Sequence, residues 1–224
     1  MLPSVHLHLF PIIMKALALF LSLLICSLLF NSCKKDDAQP QSIANAVVNG
    51  DFEASPYQDW LSNVNRVSKT KPNSYTVEYS TEAASSPSHS IKVSCNAAYN
   101  DSTYHLLQQL FYTPSSSAPN GAKILNIPTG AKLTMKAKIK TVNVQGNGIV
   151  IAVGGNYGLN KNYASAFYTS TEGKVPITGT SDFKEYSITF DSFPADTYSM
   201  YVLIFFSPTT TGTAYYDDVS LSVN

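Results

Sequence analysis

The sequence predicts an all-β protein, two antiparallel sheets packed as a sandwich or jelly roll. Three observations predict it. Short runs rich in β-branched and aromatic residues alternate apolar with polar side chains. Clusters such as TPSSSAPNGA, IPTGA, QGNG and SPTTTGT punctuate those runs with turn chemistry. The 3.6-residue helical period is missing even from the best candidate, TYHLLQQLFY, where aromatic neighbours and the following Pro114 favour a strand.

Ten strands follow in order. The first is expected at 47–52, then 75–79, 90–95 and 105–111, all short and β-forming. The fifth, Lys132 to Lys140, has the clearest alternation: Leu133, Met135, Ala137 and Ile139 on a dry face, Thr134, Lys136 and Lys138 on a wet one. Runs at 148–153 and 164–168 precede 186–190, where Tyr186, Ile188 and Phe190 alternate with Ser187 and Thr189. YVLIFF at 201–206 is apolar on both sides, which predicts a central strand covered on both faces. The last strand, 214–223, is AYYDDVSLSV. Ten short strands with turns between them suit two packed sheets.

Composition narrows the function. The 224 residues carry 15 basic and 15 acidic side chains, so nothing marks a nucleic-acid partner or an anionic membrane surface. Arg66 is the single arginine, which argues against chemistry that needs guanidinium forks on phosphate. Aromatics reach 12%, with 14 tyrosines.

Residues 1–32 read as an export signal. From Met14, a candidate true start, one Lys precedes an apolar run from Ala16 to Phe30, then Ser32 and Cys33. About fifteen apolar residues fall short of the roughly twenty that span a bilayer. Phe30-Asn31-Ser32-Cys33 resembles a relaxed lipobox of bacterial lipoproteins, which implies cleavage before Cys33 and lipidation there. The charged and polar stretch that follows resembles the tether of some Gram-negative lipoproteins displayed on the outer membrane. The expected organisation is therefore signal 1–32, lipidated Cys33 and flexible tether 33–44, and one domain 45–224 of a size that buries a core. Cys26 leaves with the signal, so Cys95 has no intrachain disulfide partner and reads as a small core residue.

Strict alternation through the last strand places Tyr215, Asp217, Val219, Leu221 and Val223 on one face, turning Asp217 inward. A carboxylate out of water needs a pairing charge, hydrogen bonds or a metal. A second acidic cluster, Asp51 and Glu53 in NGDFE, opens the domain.

In order, VVNGDFE, Trp60, SHSIKVS, LTMKAKIKTVNVQGNGIVIAV, FKEYSITF and AYYDDVSL resemble carbohydrate-binding modules of the galactose-binding-like jelly-roll fold. The resemblance implies one structural calcium held by Glu53 and Asp217. It also implies a polysaccharide or oligosaccharide ligand. Stacking on sugar needs exposed rings with amides and carboxylates beside them. Candidates are Tyr99, Asp101 and Tyr104 in one cluster and Tyr157, Asn160 and Tyr163 in another, with Asn100 and Asn162 beside them; Tyr57 is a further ring, and Trp60 is expected in the core.

Catalysis is not expected. The mature chain has two histidines, His89 and His105, with no nucleophile spacing around them, and Glu78, Glu82, Asp101 and Glu172 form no signature pair for a glycosidase. The expectation is a non-catalytic, surface-displayed glycan-binding lipoprotein that works beside enzymes or transporters. The alternatives are a structural or adhesion sandwich that binds protein and, less favoured, a lyase or glycosidase.

Overall fold

The computed structural model describes residues 42–56, 59–65, 75–97, 104–114 and 117–224. Ten strands appear among them: β1 (Leu61–Asn65), β2 (Tyr75–Ser80), β3 (Ser90–Cys95), β4 (Tyr104–Tyr112), β5 (Leu133–Gln145), β6 (Ile149–Tyr157), β7 (Ser165–Ser170), β8 (Gly179–Phe190), β9 (Thr197–Phe206) and β10 (Thr211–Val223). They form two five-stranded sheets of order β1-β4-β9-β6-β7 and β2-β3-β10-β5-β8. Every pairing is antiparallel. The fold is the expected jelly-roll sandwich.

Period-two alternation packs it. Leu107, Phe111, Ile151, Val153, Val202, Ile204 and Phe206 from the first sheet meet Ile91, Val93, Leu133, Met135, Ile139 and Leu221 from the second, all at 2% exposure or less. Burying each large side chain contributes about 1.5–3 kcal/mol. Phe167 stacks on Phe190 at 4.5 Å and meets Phe193 edge-on, sealing one end. Trp60 is 4% exposed, packs on Phe52 at 5.3 Å and donates its indole N–H to the Asn49 carbonyl, as a core residue does.

Two elements depart from expectation. Residues 47–52 form bends and turns rather than a strand. Their backbone finds side-chain partners: the Gln109 amide accepts from Val48 N–H and donates to Val48 C=O, both at 2.9 Å. Asn49 and Phe52 take positive φ, which no strand tolerates. The first strand is instead β1, which has no apolar alternation to reveal it and adds to the sheet edge beside β4.

The alternation of β10 is broken in its middle. The register against β5 runs Asp217 to Lys138 and then Ser220 to Lys136, a bulge, and Asp218 sits at φ 47°. One extra residue flips the faces. Tyr216 therefore points into the core at 0% exposure, whereas Tyr215 lies outside with Lys140 and Lys92, not beside Val219. Val219, Leu221 and Val223 return to the core after the bulge.

Candidate ligand-binding faces and the acidic clasp

The bulge carries Asp217 out of the sandwich interior and under the loop that precedes β3. Asp217 is 0% exposed, yet its carboxylate is fully served. Oδ2 accepts from the backbone N–H of Ser85 (2.6 Å) and Ser86 (3.0 Å); Oδ1 accepts from Ser86 Oγ (2.9 Å) and Asp218 N–H (2.7 Å). Burial pushes its carboxyl above the usual range against the pull of those hydrogen bonds. Burial also raises Asp218, but Lys138 Nζ at 2.9 Å and the serine hydroxyls outweigh it and hold that carboxyl low.

Glu53 grips the same loop from the other end of the domain. Oε1 accepts from Ser88 and His89 N–H, both 2.9 Å, and Oε2 from Ser88 Oγ at 2.7 Å, with His89 Nδ1 at 3.2 Å. The Ser88 backbone and hydroxyl bonds, then those of His89, hold its pKa at about 2. The ring of His89 stacks on Tyr79 at 4.5 Å, and Tyr79 donates to the Glu53 carbonyl. So Glu53 and Asp217 meet through one serine-rich loop, Ser85 to His89. Each has its roughly four acceptor positions facing protein hydrogen-bonding atoms. This donor set fits hydrogen-bonded carboxylates; it does not fit the oxygen cage that calcium takes.

Tyr157 ends β6, and Asn160 and Tyr163 lie on the connection from β6 to β7. A 3-10 turn, Leu159–Lys161, is followed by Asn162 and Tyr163 at φ 51° and 52°, a strained pair for a non-glycine tyrosine. Tyr163 is 53% exposed and faces Tyr198 at 6.1 Å, which in turn meets Tyr112 edge-on. Asn160, Asp196 and Tyr198 line a cavity of about 390 Å³. One face of Tyr157 is occupied by the Lys161 ammonium at 4.0 Å, which removes that face from stacking on a ligand.

Tyr104 does not join them. It begins β4 next to Phe205, whereas the 157–163 loop adjoins the other end of that strand, roughly 27 Å away by strand rise. Tyr99, Asp101, Asn100, Tyr57 and Cys33 lie outside the described residues.

The outer face of the sheet β1-β4-β9-β6-β7 is a second candidate face, and no sequence motif marks it. YVLIFF is central, as expected, but only Val202, Ile204 and Phe206 are buried; Tyr201, Leu203 and Phe205 are half-exposed. Among the described residues no further strand layer covers them. Register places Leu110, Tyr201, Gly154 and Tyr168 in one row across four strands. The next row is Gln108, Leu203, Ala152 and Ser170, and Asn156 and Ser199 flank the first row on its other side. Gly154 explains the geometry. A Cβ there would stand 2.7 Å from Tyr201 Oη, 2.8 Å from its Cζ and 3.1 Å from Tyr168 Cδ2, so the two rings converge over a backbone with no side chain. Burial first, then their mutual proximity for Tyr201, raises both phenol pKa values. The described residues of these rows include no Lys, Arg, Asp or Glu. The signal in the sequence was the Gly154-Gly155 pair inside a strand, which marks close approach, together with an apolar run whose second face had no partner run.

No family model matches the chain, and no curated protein matches it. Among solved structures, the enzymatically active domain of bacteriophage CBA120 tailspike protein 4 is similar over 80% of this chain, at 16% identity and TM-score 0.52; this chain spans about a fifth of that one, 21%. A CBM4 structure (16% identity, 80% of this chain and 99% of that one, TM-score 0.49) and the TmCBM61 module in complex with β-1,4-galactotriose (15%, 80% and 98%, 0.48) are also similar. At such identities the tailspike likeness is one of fold.

Proposed function

We propose that this chain is a non-catalytic glycan-binding protein, and that polysaccharide lies across the outer face of the sheet β1-β4-β9-β6-β7. The observation that carries the reading is the Tyr201–Tyr168 pair laid over Gly154, in rows whose described residues include no Lys, Arg, Asp or Glu. A pyranose ring offers a C–H surface that stacks on such rings, while Gln108 and Asn156, both partly exposed, can take its hydroxyls. From β4 to β7 the row measures roughly 14 Å, long enough for a chain rather than a single sugar. No carboxylate or imidazole among the described residues of those rows stands ready to move a proton. Tyr163, Asn160 and the cavity beside them extend contact at the β6–β7 end.

Binding to a panel of soluble and insoluble polysaccharides, followed by affinity electrophoresis, tests this reading. Retention should be lost in Tyr201→Ala and weakened in Tyr163→Ala; retention unchanged in Tyr201→Ala would remove the face from consideration. A protein-docking role is favoured by Leu61 and Leu110, 55% and 37% exposed at the β1–β4 edge, and is supported if Leu61→Ser releases a protein partner while glycan retention is absent from the start. Display at the outer membrane through lipid on Cys33 rests on the lipobox-like Phe30-Asn31-Ser32-Cys33 and its charged tether. It places the glycan site beside surface enzymes or transporters. Cys33→Ser should move the protein from the membrane to the soluble fraction.

A further inference from the structure

The resemblance to calcium-holding modules and the geometry of Glu53 and Asp217 disagree, and the disagreement is specific. A structural calcium takes six to eight oxygens at 2.3–2.6 Å and needs carboxylate lone pairs directed at one point. Here the lone pairs of both carboxylates are directed elsewhere. Asp217 takes four hydrogen bonds, three of them from backbone N–H groups, which cannot turn around to offer oxygen. Glu53 takes two more from backbone N–H groups. Amide hydrogens aimed at a carboxylate present their positive end where a cation would sit.

A positive charge is nonetheless present. Lys138, opposite Asp217 in the β5–β10 register, puts its ammonium 2.9 Å from Asp218 Oδ2 and 3.0 Å from Ser85 Oγ. Ser85 in turn donates its hydroxyl to Asp218 and its backbone N–H to Asp217. The acidic pair, the serine loop and the lysine are thus one connected unit. Among the described residues no group of three or more His, Cys, Asp or Glu side chains converges as a metal site.

We infer that this clasp is metal-independent: the Lys138 ammonium and the Ser85–His89 loop do the work that a calcium ion does in the modules this chain resembles. Three strands of structure are joined by it, namely the first turn through Glu53, the loop before β3, and the bulge of β10. The inference stands apart from the glycan reading and is tested without a glycan.

The experiment uses the full chain in detergent. Thermal unfolding is followed at neutral pH with excess calcium and with excess EDTA, and bound metal is measured on the purified protein. The same Tm in both conditions and no stoichiometric calcium is the expected result. A Tm raised by calcium or lowered by EDTA, or one calcium per chain, overturns the inference. Lys138→Gln and Ser86→Ala should each lower Tm by roughly 2–8 °C, equally in calcium and EDTA. If Lys138→Gln melts like the parent, the lysine has no part in the clasp and the inference fails. If Ser86→Ala does not fold, Ser85→Ala, which keeps both backbone donors and removes one hydroxyl, reads the same network at lower cost.

Discussion

On the outer face of the sheet β2-β3-β10-β5-β8, Lys136 meets Glu185 at 2.8 Å, Lys140 meets Asp182 at 3.1 Å, and Lys92 lies between Glu82 at 2.8 Å and Glu78 at 3.5 Å. On the outer face of the other sheet the same strand geometry carries Leu203, Tyr201, Tyr168 and Leu110, with no ion pair across its rows among the described residues. Both faces are built by period-two alternation over one shared core. The charged face satisfies itself, since each cation already has its counter-ion and water does the rest. The aromatic face leaves rings that no further strand layer covers among the described residues, and the proposed ligand site rests on that asymmetry.

Breaking the contrast at its centre should have the largest effect. Tyr201→Ala removes the ring proposed to stack on the sugar and is expected to weaken polysaccharide binding by about 30-fold or more, as loss of an anchoring aromatic does. Titration calorimetry against the polysaccharide that the panel selects measures it, with circular dichroism as a check that the sandwich persists. Next comes Gly154→Ala. Its Cβ must push Tyr201 and Tyr168 off the sheet, and affinity should fall roughly 10-fold while both tyrosines remain. Intact affinity in that variant would show that the flat placement of the rings is irrelevant to binding.

An acid titration sharpens the comparison. His105, 0% exposed behind Ser62, has its pKa lowered to about 4 by burial, against 6.5 when free. The unfolded chain therefore takes up that proton first, and stability falls as pH drops from 6.5 towards 4. His105→Gln should flatten this limb. Glu53, held at about 2, adds stability that is complete above 4.5 and lost as pH falls from there towards 2. The aromatic rows contain no group that titrates in this range, so glycan affinity should stay constant from pH 7 to 5 even as Tm declines. An affinity that tracked the fall in stability would place an ionising group in the site. The smallest effect is expected on the charged face: Lys136→Ala should leave binding unchanged and alter stability by less than about 1 kcal/mol, because its pair with Glu185 is half-exposed.

Legibility in the sequence followed from how local each signal was. Lys132 to Lys140 and Ser90 to Cys95 could be read because alternation records burial directly. The turns at 47–52 could not, because their partner is the amide of Gln109, sixty-one residues away from Val48. The bulge at Asp218 hides in the same manner: nothing in YYDDVS says where the pleat slips, so strict alternation puts Tyr215 and Val219 on one face when they occupy two. Asp217 reads from the sequence as a buried carboxylate in need of partners. Their identity, backbone N–H groups of a distant loop, leaves no trace in residue type. Tyr157, Asn160 and Tyr163 are legible as residues of one connection because they are close in sequence. Tyr201 and Tyr168 are not legible as a pair because only sheet order makes them adjacent.

The bridge between Ile43 and Val223, where each residue's N–H reaches the other's carbonyl at 2.9 and 2.8 Å, brings entry and exit of the described body side by side. A circular permutant that ligates those points with a short glycine linker and opens at Gly173, a positive-φ turn with open space around its Cα, should therefore reach the same native state. The body could also be spliced into a loop of a carrier protein without spreading the host's anchor points.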